Sequence, residues 1–349
     1  MKKILFAMAA LLGCATVSFA QTSFIATLQH EGEFTHYYGA GALTSAYNAA
    51  ATGDIITLSP GTFSTPGTIN KGITLRGNGV EAAQKTFISG ETTIASTDET
   101  MVTTVEGIKF NNRTNIQNNS TGSGQGTIKL IKNTFNELHA TIAGSYSTDR
   151  GPVVRFYNCN IYSYTYFNSN THPDFLFYNC YVLNPWTNSS FSETTTTFVN
   201  CVINWTSSYV DSAHFLNFYN CIFNWTWNSY GGTNGYYLLP STATCYNCLS
   251  INKSTLFWNV VSGGNNKTVG SAAEVFATYT NSPNEGETFE LTDTAKEAYI
   301  GTDGTQIGMQ GGNYPYTTTV QYPIITKFKA DAQTNKAGIL NVDVEVDGK

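Results

Sequence analysis

Charged side chains are scarce in this chain. Asp, Glu, Lys and Arg make up 12% of its 349 residues, about half of the roughly 25% that is usual in soluble domains. Between residues 151 and 250 the charged residues are Arg155, Asp174, Glu193 and Asp211. Stacked strands lie about 4.8 Å apart, so a row of like charges would repel where rows of Asn or Thr can hydrogen-bond. The scarcity therefore has a structural explanation.

The chain also lacks a basic cluster and a long apolar run after its start. Its formal net charge of −6 becomes −8 if the first twenty residues, which carry two lysines and no acid, are removed. An acidic chain without a basic patch binds nucleic acid poorly, so we expect no nucleic-acid partner. No apolar stretch reaches the length of a membrane span, so we expect no transmembrane segment. We further expect a monomer.

Residues 1–20 have the layout of a secretory signal peptide. A basic start precedes an apolar run, and Ser18-Phe19-Ala20 forms a small-x-small cleavage site. Leu11-Leu12-Gly13-Cys14 resembles a lipoprotein cleavage box and offers anchoring at Cys14 as the alternative. We favour cleavage after Ala20. The prediction is an exported protein, located in the periplasm, on the outer surface or outside the cell.

One short phrase recurs from residue 156 to residue 250. Each copy ends in an Asn-Cys pair, and successive pairs lie 21, 21, 20 and 27 residues apart. A period in this range marks a solenoid, whose units are too small to bury an apolar face alone. The copies are Phe156-Tyr157-Asn158-Cys159, Phe177-Tyr178-Asn179-Cys180, Phe198-Val199-Asn200-Cys201, Phe218-Tyr219-Asn220-Cys221 and Cys245-Tyr246-Asn247-Cys248.

The residues after each Asn alternate with period two. Cys159 and Ile161 share one face, and the next three copies repeat this with Val182, Ile203 and Phe223. Aromatic and β-branched windows with this period predict short strands, and a coil of about 21 residues predicts a parallel β-helix. Each Asn occupies a bend that needs a left-handed backbone, which Asn and Gly tolerate. We therefore predict an internal asparagine ladder at Asn158, Asn179, Asn200, Asn220 and Asn247.

The cysteines of the repeat predict a column of buried free thiols. Cys159, Cys180, Cys201, Cys221 and Cys248 follow the ladder residues directly. Parallel rungs hold their Cβ atoms farther apart than the ~3.8 Å that a disulfide prefers. A disulfide framework, with Cys245–Cys248 as its best pair, is the alternative. Earlier rungs are assigned to Gly77 and Gly107, with either Lys132 or Asn133 between these and Asn158.

Two further elements complete the predicted layout. Leu43, Ala46, Tyr47 and Ala50 have helical spacing, so a helix over about 41–52 is expected to cap the solenoid. The β-helix itself is assigned to residues 21–312. Alternation over 323–328 and 339–346 predicts strands in a C-terminal β tail or second cap at 313–349.

Residues 53–63 and 69–79 resemble the opening coils of the pectin-lyase-like superfamily of right-handed β-helix proteins. Through the Asn-led repeats the resemblance extends to about residue 270. It implies a right-handed parallel β-helix. It implies little about chemistry, because the superfamily includes pectate lyases, polygalacturonases, pectin methylesterases and many non-enzymatic surface proteins. The segments are Gly53-Asp54-Ile55-Ile56-Thr57-Leu58-Ser59-Pro60-Gly61-Thr62-Phe63 and Ile69-Asn70-Lys71-Gly72-Ile73-Thr74-Leu75-Arg76-Gly77-Asn78-Gly79.

Catalytic groups are thinly spread over the repeats. A pectate-lyase-like enzyme needs carboxylates around Ca²⁺ and an Arg or Lys base. Asp149, Arg150, Arg155 and Asp174 form the best such set, although an ordinary surface ion pair explains them as well. Ca²⁺ belongs to this alternative alone; otherwise we expect no cofactor and no metal.

Aromatic side chains give the richer signal. Rings placed on the outer face of a rigid solenoid could stack on sugar rings, while stacking in the core is the alternative. The favoured hypothesis is an exported β-helix that binds, or is displayed on, polysaccharide without catalytic machinery. A polysaccharide lyase or hydrolase acting on acidic glycans is the alternative, and a structural surface module is the second alternative. The candidate carbohydrate-binding residues are Tyr164, Tyr166, Trp186, Tyr209 and Trp227.

Overall fold

Every repeat consists of one strand before a sharply bent residue and another strand after it. The computed structural model describes residues 24–81, 83–118, 126–141, 152–163, 165–168, 174–187, 195–205, 215–225, 239, 242–252, 256–257, 260–278, 286–318, 324–330 and 342–347. The strands of successive repeats pair in parallel and in register. The predicted all-β parallel solenoid is therefore confirmed, while the hand of its winding and the capping of its ends stay predictions.

The strands that precede the bends form the first sheet, which an antiparallel hairpin extends at its N-terminal end. Its strands are β1 (Ile25–His30), β2 (Glu33–Tyr38), β3 (Ile55–Leu58), β6 (Thr74–Arg76), β9 (Val102–Glu106), β11 (Thr127–Ile131), β13 (Val153–Tyr157), β16 (Asp174–Tyr178), β19 (Thr195–Val199), β21 (Phe215–Tyr219), β23 (Thr244–Tyr246) and β25 (Ser262–Gly264).

The strands that follow the bends form the second sheet. They are β4 (Gly61–Ser64), β7 (Thr86–Ser89), β10 (Lys109–Asn118), β12 (Thr134–Thr141), β14 (Asn160–Ile161), β17 (Tyr181–Leu183), β20 (Val202–Trp205), β22 (Ile222–Trp225), β24 (Leu249–Ile251) and β26 (Lys267–Val269). A side branch continues from the later parts of β10 and β12 to β5 (Thr68–Ile69), β8 (Thr92–Ser96), β15 (Thr165–Asn168) and β18 (Pro185–Thr187).

Helices are short. The helix α1 (Ala42–Ala49) buries Leu43, Ala46 and Tyr47, three of the four positions that its spacing predicts to be apolar, and Ala50 is buried just beyond it. Later come a 3₁₀ turn (Ala272–Glu274) and α2 (Asp293–Ala298), whose Thr292 side chain accepts a hydrogen bond from the Ala295 N–H. Near the C-terminus, β27 (Ile324–Ala330) and β28 (Val342–Asp347) pair in antiparallel.

The interior of the solenoid is built from columns of identical side chains. Phe156, Phe177, Phe198 and Phe218 are fully buried, and their rings stack at centroid distances of 4.2, 4.8 and 5.1 Å. The predicted cysteine column lies beside them. All six cysteines of the described chain are buried free thiols, so the disulfide alternative is wrong.

The thiols also bond to the backbone of the previous coil. Cys201 Sγ donates to the Phe177 carbonyl at 3.4 Å, and the Cys159 N–H donates to Cys180 Sγ at 3.4 Å. Buried backbone groups need partners, so these weak bonds do more than fill space. Burial raises the pKa of the Cys180 thiol. Asn133 and Asn266 occupy the cysteine position at the two ends of the column. In each, the side-chain amide accepts from one backbone N–H and donates to one backbone carbonyl of the previous coil.

The ladder residues have the left-handed backbone that the sequence predicts. Asn158, Asn179, Asn200, Asn220 and Asn247 have φ between 51° and 57°. Lys132, with φ of 49°, takes the next rung, which settles the register that the sequence left open between Lys132 and Asn133. Gly107 has φ of 67°, but Gly77 has no positive φ. Gly77 is instead required for space, since a Cβ there would lie 2.5 Å from the Gly107 carbonyl oxygen.

Four of the five ladder asparagines are buried and Asn247 is partly exposed, but the cover comes from outside the coils and not from the predicted interior position. Residues 299–318, here called the tail strap, run along the outside of the bends in the reverse direction. Asn179 Nδ2 donates to the carbonyls of Met309 and Gly311 at 2.8 and 2.6 Å, and Asn158 Nδ2 donates to the Tyr314 carbonyl at 2.8 Å. The Thr302 N–H donates to Asn220 Oδ1 at 2.9 Å. The ladder therefore holds the strap to the solenoid.

A second apolar core forms between the outer face of the second sheet and the C-terminal region, which here includes the strap and described residues before it. Tyr181, Val202 and Ile222 are fully buried there, against Phe289, Leu291 and Met309 among others. The rings of Tyr181 and Phe289 stack with centroids 4.8 Å apart. This side of the solenoid is consequently covered by the chain's own C-terminal region.

Candidate functional site

Two of the five proposed carbohydrate-binding residues belong to the described part of the chain, and both lie on the side branch. Tyr166 lies in β15 and Trp186 in β18, and the two are paired in register. Tyr166 is paired in turn with His139 of β12, and His139 with Asn115 of β10. These four positions form one row, called here the side row, over three rung intervals or roughly 14 Å. Tyr164, Tyr209 and Trp227 lie outside the described residues.

Of the proposed catalytic residues, Arg155 lies in β13 and Asp174 in β16 of the first sheet. Arg155 is paired with Leu176, whereas Asp174 is paired with Val153, two positions away along the strand. The Arg155 side chain bonds to Tyr157, whose pKa is raised mainly by burial. Asp174 is exposed. The register thus puts Arg155 and Asp174 on neighbouring strands without placing them opposite each other. Asp149 and Arg150 lie outside the described residues.

A cleft of about 450 Å³ opens at the corner between the second sheet and the side branch. Its walls carry three amide side chains, two charged side chains, one hydroxyl and one aromatic ring. We call it the polar cleft. It is lined by Asn111, Asn112, Arg113, Asn136, Glu137, Tyr162 and Ser163. β10 has a bulge between Phe110 and Arg113, because Asn111 and Asn112 lie opposite the single residue Asn136, and a bulge of this kind bends the strand.

Two asparagines at this corner fix the backbone that shapes the cleft. Asn136 Nδ2 donates to the Asn111 carbonyl at 2.9 Å. The Gly90 N–H donates to Asn112 Oδ1 at 2.8 Å, which ties the corner to the previous coil. Polar groups held in this way are pre-organised, so they lose little entropy on binding a ligand.

Glu137 is the centre of the charged part of the cleft. Its Oε1 lies 3.2 Å from Arg113 Nη2 and 2.5 Å from His139 Nε2. The side chain of Glu137 is 32% exposed and that of His139 is 14% exposed. Because His139 belongs to the side row, Glu137 joins the polar cleft to the row that contains Tyr166 and Trp186.

Carboxylates flank Arg113 on both sides along the stack. Thr92 is paired with Thr114, so Glu91 comes one rung before Arg113, and Glu137 is one rung after it. Asn115 Nδ2 donates to Glu91 Oε1 at 2.6 Å. Oriented amides, carboxylates and a guanidinium can bind hydroxyl groups, and a half-buried tyrosine can pack against the apolar face of a ring.

Sequence reasoning missed Glu91, Arg113 and Glu137. The candidate catalytic residues named from the sequence all lie between residues 149 and 174, whereas these three precede them. A usable signal exists, since charges of alternating sign recur at 91, 113 and 137, close to one coil apart. Only the register shows that the three share one column.

A second cavity of about 360 Å³ lies near the end of the solenoid. Its lining includes Asn247, Lys267 and Tyr299. Lys267 Nζ donates to the Ala298 carbonyl at 2.9 Å and lies 5.2 Å from the centre of the Tyr299 ring. The cation is thus engaged by the start of the tail strap, and this cavity is part of the strap's packing.

Within the described ranges, no three His, Cys, Asp or Glu side chains are gathered where they could hold a metal ion. In those same ranges no helix has the length and apolarity needed to cross a membrane. Comparisons with family models, with curated proteins and with solved structures give no significant match.

Proposed function

We propose that this protein binds glycans at the polar cleft and along the adjoining side row. The observation that carries the proposal is the register, which aligns Tyr166 and Trp186 with Asn115 and His139 beside a cleft lined by amides. The combination of aromatic rings with fixed hydrogen-bonding groups suits an amphipathic, ring-shaped ligand. A row of about 14 Å is longer than a single sugar ring, which favours an oligosaccharide.

The test is retention of the purified protein in gels that contain soluble polysaccharides, followed by titration with the best ligand. Trp186→Ala and Tyr166→Ala are expected to weaken binding about three- to tenfold each, the equivalent of an aromatic contact worth roughly 0.5–1.5 kcal/mol. Tyr219→Ala is the matched control, because Tyr219 stacks on Tyr246 with centroids 6.0 Å apart on the first sheet. Equal loss in the control and the two row variants, or unchanged binding in the row variants, would reject the proposal.

Cleavage of a glycan is a second candidate, and one observation favours it. Glu91 and Glu137 lie two rungs apart, or roughly 9.6 Å, a separation near the upper end of the range for inverting glycosidases. The assay is release of reducing ends from the polysaccharides that bind. Activity abolished by both Glu91→Gln and Glu137→Gln would make this the main function, and binding without turnover would dismiss it.

We also infer that the solenoid is right-handed, as in the pectin-lyase-like superfamily, and that the chain is exported. The parallel rungs and the short helix before β3 support the first inference, and the signal-like residues 1–20 support the second. An experimental structure tests the hand. N-terminal sequencing of the protein from culture fractions tests export and separates cleavage after Ala20 from anchoring at Cys14.

A further inference from the structure

We propose that the polar cleft selects neutral glycans over uronate-rich ones, and that Glu137 is the residue that determines this specificity. The inference rests on the proposed glycan-binding function. It concerns the sign of the charge that a bound sugar would meet, which depends on how the cleft's own charges are paired.

Arg113 is the one cation among the described residues that line the polar cleft. Its Nε and Nη2 atoms both lie 3.2 Å from Glu137 Oε1, so the guanidinium is already engaged by a carboxylate of the protein. A uronate would have to share Arg113 with Glu137. Its own carboxylate would then sit beside a second negative charge, and like charges at such short range are unfavourable.

The charges next to Arg113 also disfavour an acidic sugar. Glu91 and Glu137 contribute two negative charges and Arg113 one positive charge, so these three side chains together carry −1. Glu91 is held by Asn115, and His139 is held against Glu137 at 2.5 Å. Both side chains are therefore already engaged within the protein.

The remaining polar groups of the cleft suit hydroxyls. Asn111, Asn112 and Asn136 contribute amides, and Ser163 contributes a hydroxyl. These groups both donate and accept, as sugar hydroxyls do, whereas a carboxylate only accepts. Neutral hexose or pentose units are therefore the substrate class that matches the cleft.

The experiment compares hexamers of β-1,4-linked glucose, of β-1,4-linked mannose and of galacturonate, titrated calorimetrically into the whole protein at neutral pH and low salt. The wild-type protein is expected to bind a neutral hexamer at least about tenfold more tightly than the galacturonate hexamer. In Glu137→Gln the guanidinium is released while the side-chain shape is kept. Its affinity for galacturonate is expected to rise about tenfold, with less change for the neutral ligand.

Glu106→Gln is the matched control. Glu106 Oε2 lies 3.2 Å from Arg76 Nε between adjacent rungs of the first sheet, so this variant releases a similar guanidinium away from the cleft. It should leave galacturonate binding unchanged, and circular dichroism should show both variants folded.

Each outcome has one meaning. Wild-type preference for galacturonate, or no gain in Glu137→Gln beyond that in Glu106→Gln, overturns the inference and leaves glycan binding intact. If the panel is extended to branched and pentose glycans and no ligand of either charge binds, glycan binding itself fails. A neutral preference that Glu137→Gln relaxes supports both.

Discussion

The bond between Asn179 and the tail strap gives the sharpest prediction about stability. Asn179 is 2% exposed, has φ of 52°, and donates to the carbonyls of Met309 and Gly311. Asn179→Gly keeps the freedom to adopt the left-handed bend and removes only the side-chain amide. This variant therefore isolates what the amide contributes to docking of the strap.

The magnitude follows from the partners that remain. The Met309 carbonyl still accepts from the Tyr316 N–H at 2.7 Å, so losing the Asn179 amide costs it one ordinary hydrogen bond, worth about 1 kcal/mol. The Gly311 carbonyl loses its bond to the Asn179 amide, and a buried orphaned acceptor costs roughly 1–3 kcal/mol. We expect Asn179→Gly to lower the free energy of unfolding by about 2–4 kcal/mol. Asn179→Ala should cost about 1 kcal/mol more, because alanine pays for the left-handed backbone.

Urea unfolding followed by circular dichroism measures these differences, and limited proteolysis shows whether cleavage within residues 299–318 accelerates. Asn247→Gly is the control. Asn247 has the same backbone, with φ of 51°, but its side chain makes no hydrogen bond within the described residues. A change within about 0.5 kcal/mol is expected for it. If Asn179→Gly were as mild as Asn247→Gly, the amide would contribute nothing to docking, and the reasoning would be refuted.

Three further predictions follow from single contacts. Cys201→Asn should be tolerated within about 1 kcal/mol, because Asn133 and Asn266 already make the same backbone bonds at that position. Cys201→Val should cost roughly 1–3 kcal/mol, because the buried Cys180 N–H loses the thiol as its acceptor. Thermal denaturation compares the two variants, and equal stability would contradict the role given to the thiol. The Asp54 carboxylate, 2.8 Å from His30 Nδ1, raises the pKa of His30. The pair therefore stabilises the fold fully below the unfolded pKa of about 6.5, and this contribution is lost as pH rises through the folded pKa. The difference in melting temperature between wild type and His30→Gln should shrink from about pH 5 to about pH 9, and a constant difference would contradict this prediction. Gly311→Ala should loosen the tail strap, because a Cβ there would overlap the Gln306 carbonyl and lie 2.7 Å from Asn200 Nδ2. Gly41→Ala is the control, because its Cβ would lie in open space. The rate of protease cleavage within the strap compares the two variants, and equal rates would contradict the prediction.

The interior of the solenoid could be predicted from sequence because it repeats. The spacing of the Asn-Cys pairs and the alternation around them reflect a backbone rule that acts within each coil, the left-handed bend at Asn, together with the burial of every second side chain. Phe177, Cys180 and Val182 are accordingly found inside, as their positions indicate. These rules depend only on residues close together in the sequence, so each of the five copies of the repeat carries the same signal.

The covering of the outer faces was decided by tertiary structure alone. The apolar run Cys201-Val202-Ile203 indicates a strand buried on both faces. The sequence around it gives no sign that residues 299–318 return to cover Val202. The amides of Asn158 and Asn179 gain partners more than a hundred residues away. Glu91, Arg113 and Glu137 share a column only because three coils stack in register. Contacts between coils and between distant segments depend on the summed geometry of all the bends, which no single repeat encodes.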